Sequence, residues 1–108
     1  MSGAPVVPVR GRIYWADVGY GRKPWLCVSN DARNRALDHF LAVRLSTTTG
    51  RPPLASIVRT SAADPLTGVV LCDDLVQLFR DEVDADGGAL SPGTIAGVAA
   101  ALRFALAL

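Results

Sequence analysis

Histidine is nearly missing: His39 is the only imidazole in 108 residues, and the cysteines number two, Cys27 and Cys72. One histidine and two isolated cysteines give no zinc-ligand spacing. The chain has no CxxC pair, no Walker loop, no dinucleotide-binding glycine fingerprint and no Ser-His-Asp arrangement with a spacing signal. These absences exclude the common routes through a bound transition metal, a dithiol or a nucleotide cofactor, so any chemistry is expected to need no metal and no cofactor. A long hydrophobic run is missing too. The longest, "IAGVAAALRFALAL" (95–108), holds 14 residues with Arg103 inside, short of the roughly 20 that span a bilayer. "MSGAPVVPVR" has no apolar core of the secretory type, and a cytoplasmic address without membrane contact is expected.

Half the residues are hydrophobic and 19% are charged, the balance of a folded domain. The length suits one core, read as a loose, proline-containing arm over 1–9 and a single domain over 10–108. Cys27 and Cys72 both fall in apolar, strand-like stretches and are expected as small buried hydrophobes. The net charge of +1 hides a split: residues 1–59 hold nine Lys/Arg and three Asp, residues 60–108 two Arg and seven Asp/Glu. That asymmetry suggests a polyanion-binding face opposed by an acidic region.

"RIYWADV" (12–18) is aromatic and β-branched and reads as a strand; "GYG" reads as a tight turn, and the apolar run "PWLCVSN" (24–30) as a buried strand opened by its proline. Asn30 or Asp31 is placed to cap a short helix with Arg33, Asn34 and Arg35 exposed. "FLAVRLS" (40–46) is a third strand and "LASIVR" (54–59) a fourth; "VVLCDDLVQL" (69–78) supplies one or two more. Ser91 and Pro92 announce a final helix with Ile95, Val98, Leu102 and Leu106 on one face. Short strands followed by one amphipathic helix predict an α+β domain, a small and strongly curved sheet or barrel covered by a helix.

What remains for chemistry is cations and hydroxyls. Arg22 and Lys23 open the second strand; Ser46, Thr47, Thr48 and Thr49 close the third. Cations and hydroxyls without carboxylates or metal suit RNA cleavage by its own 2′-hydroxyl, which needs charge stabilisation at phosphorus and two proton transfers but no activated water. Exposed Tyr20 is placed to stack on a splayed base, or else to lie partly buried in the turn. Trp15 and Trp25 are assigned to core or subunit contacts.

In order, "RGRIYWADVGYGRKPWLCVSND", "FLAVRLSTT" and "GVVLCDDL" resemble the MazF/PemK family of toxin endoribonucleases, over roughly residues 10 to 80. The resemblance implies an SH3-like β-barrel with a C-terminal helix. It also implies metal-independent cleavage of single-stranded RNA to 2′,3′-cyclic phosphate and 5′-hydroxyl ends, a homodimer, and a cognate MazE-like antitoxin. The family's catalytic Arg before Pro falls on Lys23, and its Ser/Thr at the end of the third strand on Ser46, with Arg22 and Thr47 beside them. Tyr20, Arg44, Thr48 and Arg51 make the RNA-binding set, and Asp73 matches the late Asp. Three positions depart from the family pattern: Lys23 replaces Arg, Arg12 replaces a first-strand acid, and the first hairpin loop is short. Two other functions stay open: a non-enzymatic CcdB-like toxin acting on a protein target such as DNA gyrase, and an SH3-like interaction module.

Overall fold

The structure, a computed structural model, describes residues 6–48 and 54–108. Arg51 and Thr49, named above, lie outside the described residues. The elements run β1 (Arg12–Asp17), β2 (Arg22–Cys27), α1 (Asp31–Ala36), β3 (His39–Ser46), β4 (Ile57–Arg59), β5 (Val69–Phe79), a 3-10 turn (Arg80–Glu82), β6 (Val83–Ala89) and α2 (Pro92–Leu106). Six strands form one antiparallel sheet in the order β4-β5-β3-β2-β1-β6. This is the expected α+β architecture with a C-terminal helix.

Both faces of the sheet are buried, which is why the central strands read as continuous apolar runs rather than alternating ones. One face carries Ile13, Leu26, Val43, Leu45 and Val70 and packs under Val98 and Ala101 of α2. The other carries Tyr14, Ala16, Trp25, Cys27, Phe40, Ala42 and Leu78, with the Tyr14 and Phe40 rings edge to face at 5.8 Å. Both cysteines are buried and free; burial pushes the Cys72 thiol up to about 11 and raises Cys27 as well. Val9 N–H donates to the Tyr14 hydroxyl at 2.8 Å.

The helix caps follow the sequence. Asn30 accepts from Arg33 N–H at the start of α1, and Ser91 accepts from Thr94 N–H at the start of α2. The turn before β5 adds Asp64, which accepts from Ser91 N–H and the Thr94 hydroxyl, both at 2.6 Å. Burial pushes the Asp64 carboxyl up, but hydrogen bonds from Ser61 N–H, Ser91 N–H and the Thr94 and Ser61 hydroxyls outweigh it and hold the group well below its usual range.

Several expectations are corrected. β2 begins at Arg22, two residues before Pro24, and β4 is trimmed to Ile57–Arg59. Of the one or two strands expected over 69–78 the structure has one, Val69–Phe79, interrupted by a bulge: Val43 pairs with Leu75 and Arg44 with Leu71, so Cys72, Asp73 and Asp74 have no partners on β3. Asn34 is fully buried instead of exposed, its side-chain oxygen accepting from the Ser29 hydroxyl and its amide donating to Ser29 O. Leu106 is half exposed, and Thr94 and Ala101 take its place on the buried face of α2. The strand β6, "VDADGGA", went unread because its acids and glycines have low strand propensity. It pairs with β1 and brings acidic residues beside basic ones, with Arg12 bound to Asp86 at 3.0 Å. The basic and acidic halves of the chain are therefore adjacent along this edge rather than opposed.

Candidate active site

The β1–β2 turn sets the first group in place. Gly19 and Gly21 have φ of +112° and +92°, a region that side chains with a Cβ avoid. The Asp17 carboxylate accepts from both of their N–H groups, at 2.8 and 3.2 Å. This locks the register Ala16–Lys23 and Asp17–Arg22.

Strand alternation then separates the two cations. Lys23 shares the face of Trp25 and Cys27, while Arg22 shares the face of Pro24 and Leu26. On β3, Arg44 pairs with Trp25, which puts Arg44 and Ser46 on the Lys23 face. The ladder ends at that pair, and Lys23 and Ser46 each lie two residues beyond it on their own strand. Residues of both faces, Trp15, Arg22, Lys23, Arg44, Ser46, Thr47 and Thr48 among them, line one open cleft of about 220 Å³ at this end of the strands.

The state of each group differs. Ser46 is buried and its Oγ accepts from Thr48 N–H at 3.1 Å, which leaves its O–H proton available to donate. Thr47 and Thr48 are exposed. The backbone of Ser46 is pinned from behind by Gly68: a Cβ there would lie 2.2 Å from Ser46 O, so only glycine permits this approach of β5 to the end of β3. Lys23 and Arg44 are partly buried, and among the described residues neither forms an ion pair. The Arg44 Nε atom is buried without any hydrogen-bond partner among them.

Arg22, by contrast, is engaged. Its Nε and Nη2 donate to the Asp84 carboxylate at 2.8 to 3.0 Å, and its guanidinium carbon sits 4.7 Å from the centre of the Trp15 ring. Asp84 is the extra residue of a β6 bulge, since Trp15 pairs with Ala85 and Ala16 with Val83. The Arg22 hydrogen bonds hold the Asp84 carboxyl below its usual range and raise Arg22. Sequence reasoning missed this acid. The alternation V-D-A-D was the available signal, masked by the two glycines that follow.

The remaining candidates divide plainly. Tyr20 is 84% exposed at the turn, which rules out the partly buried alternative. Trp25 belongs to the core, and Trp15 lines the cleft under Arg22. His39 starts β3, seven residues from Ser46, about 23 Å along the strand; it contacts Asp38 at 3.0 Å and the Phe79 ring and does not border the cleft. Asp73 accepts a hydrogen bond from the Ser56 hydroxyl. Among the described residues, no three His, Cys, Asp or Glu side chains are grouped to hold a metal ion, and no helix is long and apolar enough to cross a membrane.

Fold and cleft together define a class: a small antiparallel α+β domain with a cationic, hydroxyl-lined cleft suited to a polyanion. The family model for PemK-like, MazF-like toxins of type II toxin-antitoxin systems matches residues 9–106, and the chain belongs to that family. It is 45% identical over 101 residues to the endoribonuclease MazF1 of Mycobacterium bovis, covering 94% of each protein. The solved structure of a Mycobacterial endoribonuclease in complex with its cognate antitoxin superimposes with a TM-score of 0.89 at 44% identity, over 94% of this chain and 96% of that one. A MazE–MazF structure from Deinococcus radiodurans gives a TM-score of 0.81 at 25% identity, over 95% and 98% of the two chains.

Proposed function

We propose that this chain is the toxin of a type II toxin-antitoxin pair and a metal-independent endoribonuclease for single-stranded RNA, with Lys23 and Ser46 at the scissile phosphate. The observation that carries this is the convergence on one cleft of Ser46 and two cations, Lys23 and Arg44, that form no ion pair among the described residues. Unpaired, partly buried cations are unfavourable in the free protein, and a phosphate relieves them.

In this reaction the 2′-oxygen attacks phosphorus, its proton passing to solvent at the open side of the cleft. The bond to the 5′-oxygen breaks, leaving a 2′,3′-cyclic phosphate and a 5′-hydroxyl. The Lys23 ammonium faces the extra negative charge on five-coordinate phosphorus and hands a proton to the departing 5′-oxygen, regaining it later from water. Ser46 O–H donates to a phosphoryl oxygen, held in orientation by the bond it accepts from Thr48. Arg44 and Thr48 grip the backbone, Thr47 flanks the hydroxyl, and Tyr20 stacks on a neighbouring base. Arg22 contributes long-range charge from the rim, because its fork already faces Asp84; Arg51 is assigned to the RNA path from its sequence position alone.

The finer fold reading is an SH3-like barrel formed by curling of the sheet in a single domain; of the arm expected over 1–9, the described residues 6–9 instead pack on the core, with Pro8 buried and Val6 against the sheet. The relatives solved with a cognate antitoxin support a toxin held by a MazE-like antitoxin; the homodimer and the cytoplasmic address rest on the sequence reading alone. A non-enzymatic CcdB-like action is not favoured, since the relatives are endoribonucleases. The test is incubation of the purified chain with total RNA in EDTA, with mapping of the new ends. Cyclic-phosphate and 5′-hydroxyl ends that disappear in Lys23→Ala are expected. Intact RNA would overturn the proposal, and blocked DNA supercoiling in its place would revive the gyrase alternative.

A further inference from the structure

Lys23 and Arg44 also border a second cleft, of about 250 Å³, whose lining does not include Ser46 and whose chemistry differs from the first. Val18, Trp25 and Val76 make apolar walls, Tyr20 stands at the lip, and one acid, Asp74, completes the lining. Asp74 is there because of the β5 bulge. It is one of the three residues that the ladder skips between Leu71 and Leu75, and such insertions re-aim a side chain that would otherwise follow the pleat. Among the described residues Asp74 forms no ion pair and accepts no side-chain hydrogen bond. Two residues of its lining carry buried donors beneath the surface: Trp25 is 95% buried and its indole Nε1, like Arg44 Nε, has no partner among the described residues.

An apolar cleft with an aromatic lip and, among the described residues, an unpaired carboxylate and unpaired donors suits one planar heterocycle that presents both N–H groups and acceptors. We infer that this cleft reads the base of a nucleotide adjoining the scissile phosphate, and that the base it selects is guanine. The inference rests on the nuclease reading and deepens it by naming what the enzyme recognises. Guanine offers two neighbouring N–H donors, N1–H and the N2 amino group, to both oxygens of a carboxylate, and its O6 and N7 accept from cations. Cytosine and adenine offer a single amino group beside ring acceptors. Uracil offers one imino N–H between two carbonyl oxygens, both of which repel a carboxylate. Arg44 and Lys23 at the wall between the clefts then contact the phosphate on one side and the guanine acceptors on the other, which ties base selection to phosphate position. Trp25 Nε1 and Arg44 Nε are covered in the free protein, so a small rotation of ring or guanidinium accompanies binding.

The experiment measures binding and cleavage separately. Fluorescence anisotropy with 2′-O-methyl RNA, which cannot be cleaved, compares oligomers carrying guanine, inosine or uracil at one position, while end mapping on random-sequence RNA reports the cleavage context. Inosine keeps N1–H and O6 but lacks the N2 amino group. The expected result is one fixed position beside the cut enriched in guanine, with inosine there weakening binding about tenfold in the wild-type chain. In Asp74→Asn and Asp74→Ala the guanine-over-inosine ratio should collapse to near one. Asp74 is exposed, so both variants are expected to fold, and the asparagine keeps the shape of the side chain. No guanine enrichment, or an unchanged ratio in both variants, overturns the assignment of this cleft. Binding that discriminates guanine through Asp74 without any cleavage supports the cleft while removing the nuclease reading, so the two proposals fail separately.

Discussion

Removing the charge of Lys23 is the sharpest test of the cleft. The phosphodiester carries one negative charge in the ground state and the five-coordinate phosphorus species carries two, so a cation beside it gains one further unit of attraction on the way to the transition state. A unit charge at about 4 Å is worth about 4 kcal/mol at an effective dielectric of about 20. Lys23 is only partly buried, and an effective dielectric of about 40 halves the figure to about 2 kcal/mol. The expected loss in kcat for Lys23→Ala is therefore about 30- to 1,000-fold, in line with the loss of one preorganised oxyanion donor. KM should rise as well, since the ground-state phosphate also loses its cation. Stability should hold: Lys23 makes no ion pair among the described residues and shares its wall with Arg44, so its removal relieves a like-charge contact. Single-turnover kinetics on a short fluorogenic RNA, with a thermal melt of the same sample, gives both readings. Lys23→Arg, which restores the family's residue, should recover most of the rate. A kcat within threefold of wild type in a properly folded Lys23→Ala chain would refute the assignment.

Ser46→Ala should lower kcat about 10²-fold with little change in RNA affinity, because its hydroxyl acts on the phosphoryl oxygen of the transition state; equal losses in both, from stopped-flow and anisotropy, would remove it from the reaction. Asp84→Asn frees the Arg22 fork for phosphate, so RNA should bind more tightly and the slope of log K against log salt should steepen by about 0.7; an unchanged slope would mean that Arg22 stays on Trp15. Asp64 has a folded-state pKa below its unfolded value, so its contribution to stability is complete above about pH 4 and is lost as pH falls through the folded value. Asp64→Asn should cost about 2–4 kcal/mol at neutral pH by loosening the start of α2 and should flatten the acid limb of the stability curve, measured by urea titration from pH 6 to pH 2. Gly68→Ala should destabilise by about 2 kcal/mol or more, since the added methyl meets backbone rather than a movable side chain; a wild-type melting temperature would contradict the close approach to Ser46.

What could be read from the chain was what is local. The glycine turn at 19–21, the uniform apolar run behind Pro24, the Asn30 and Ser91 caps and the hydroxyls of Ser46, Thr47 and Thr48 at the end of β3 each declare themselves within a few residues, and the structure keeps them. The sheet's far edge was not legible. β6 is strand because β1 needs a partner, and acids with glycines satisfy an edge that faces water as well as valines would. The same non-locality hid the fate of Arg22, whose partner lies 62 residues away. Asp74 escaped for a different reason: a bulge is a mismatch between two strands, and neither strand alone shows it. The separation of Arg22 from Lys23 was legible in principle, since neighbours on a strand point apart, and it was overlooked because adjacency in sequence suggests a shared grip.

That separation bears on why a lysine works where the family pattern has arginine. Of two consecutive cations on β2, the one on the face of Pro24 and Leu26 meets Asp84 and Trp15, and a guanidinium suits that place because its planar fork spans a carboxylate while its face lies on an indole. The one on the opposite face forms no ion pair among the described residues and borders the same clefts as Arg44, whose fork, on the proposed reading, supplies directional donors to the same anion. A second guanidinium there would duplicate geometry that Arg44 provides. A compact ammonium instead puts concentrated charge at the phosphate and has a proton it can give up. On this argument the arginine's two duties, orientation and charge, are divided in this chain between β3 and β2, so Arg44→Lys should be the more damaging exchange and Lys23→Arg the milder one, whichever of the two residues lies nearer the scissile bond.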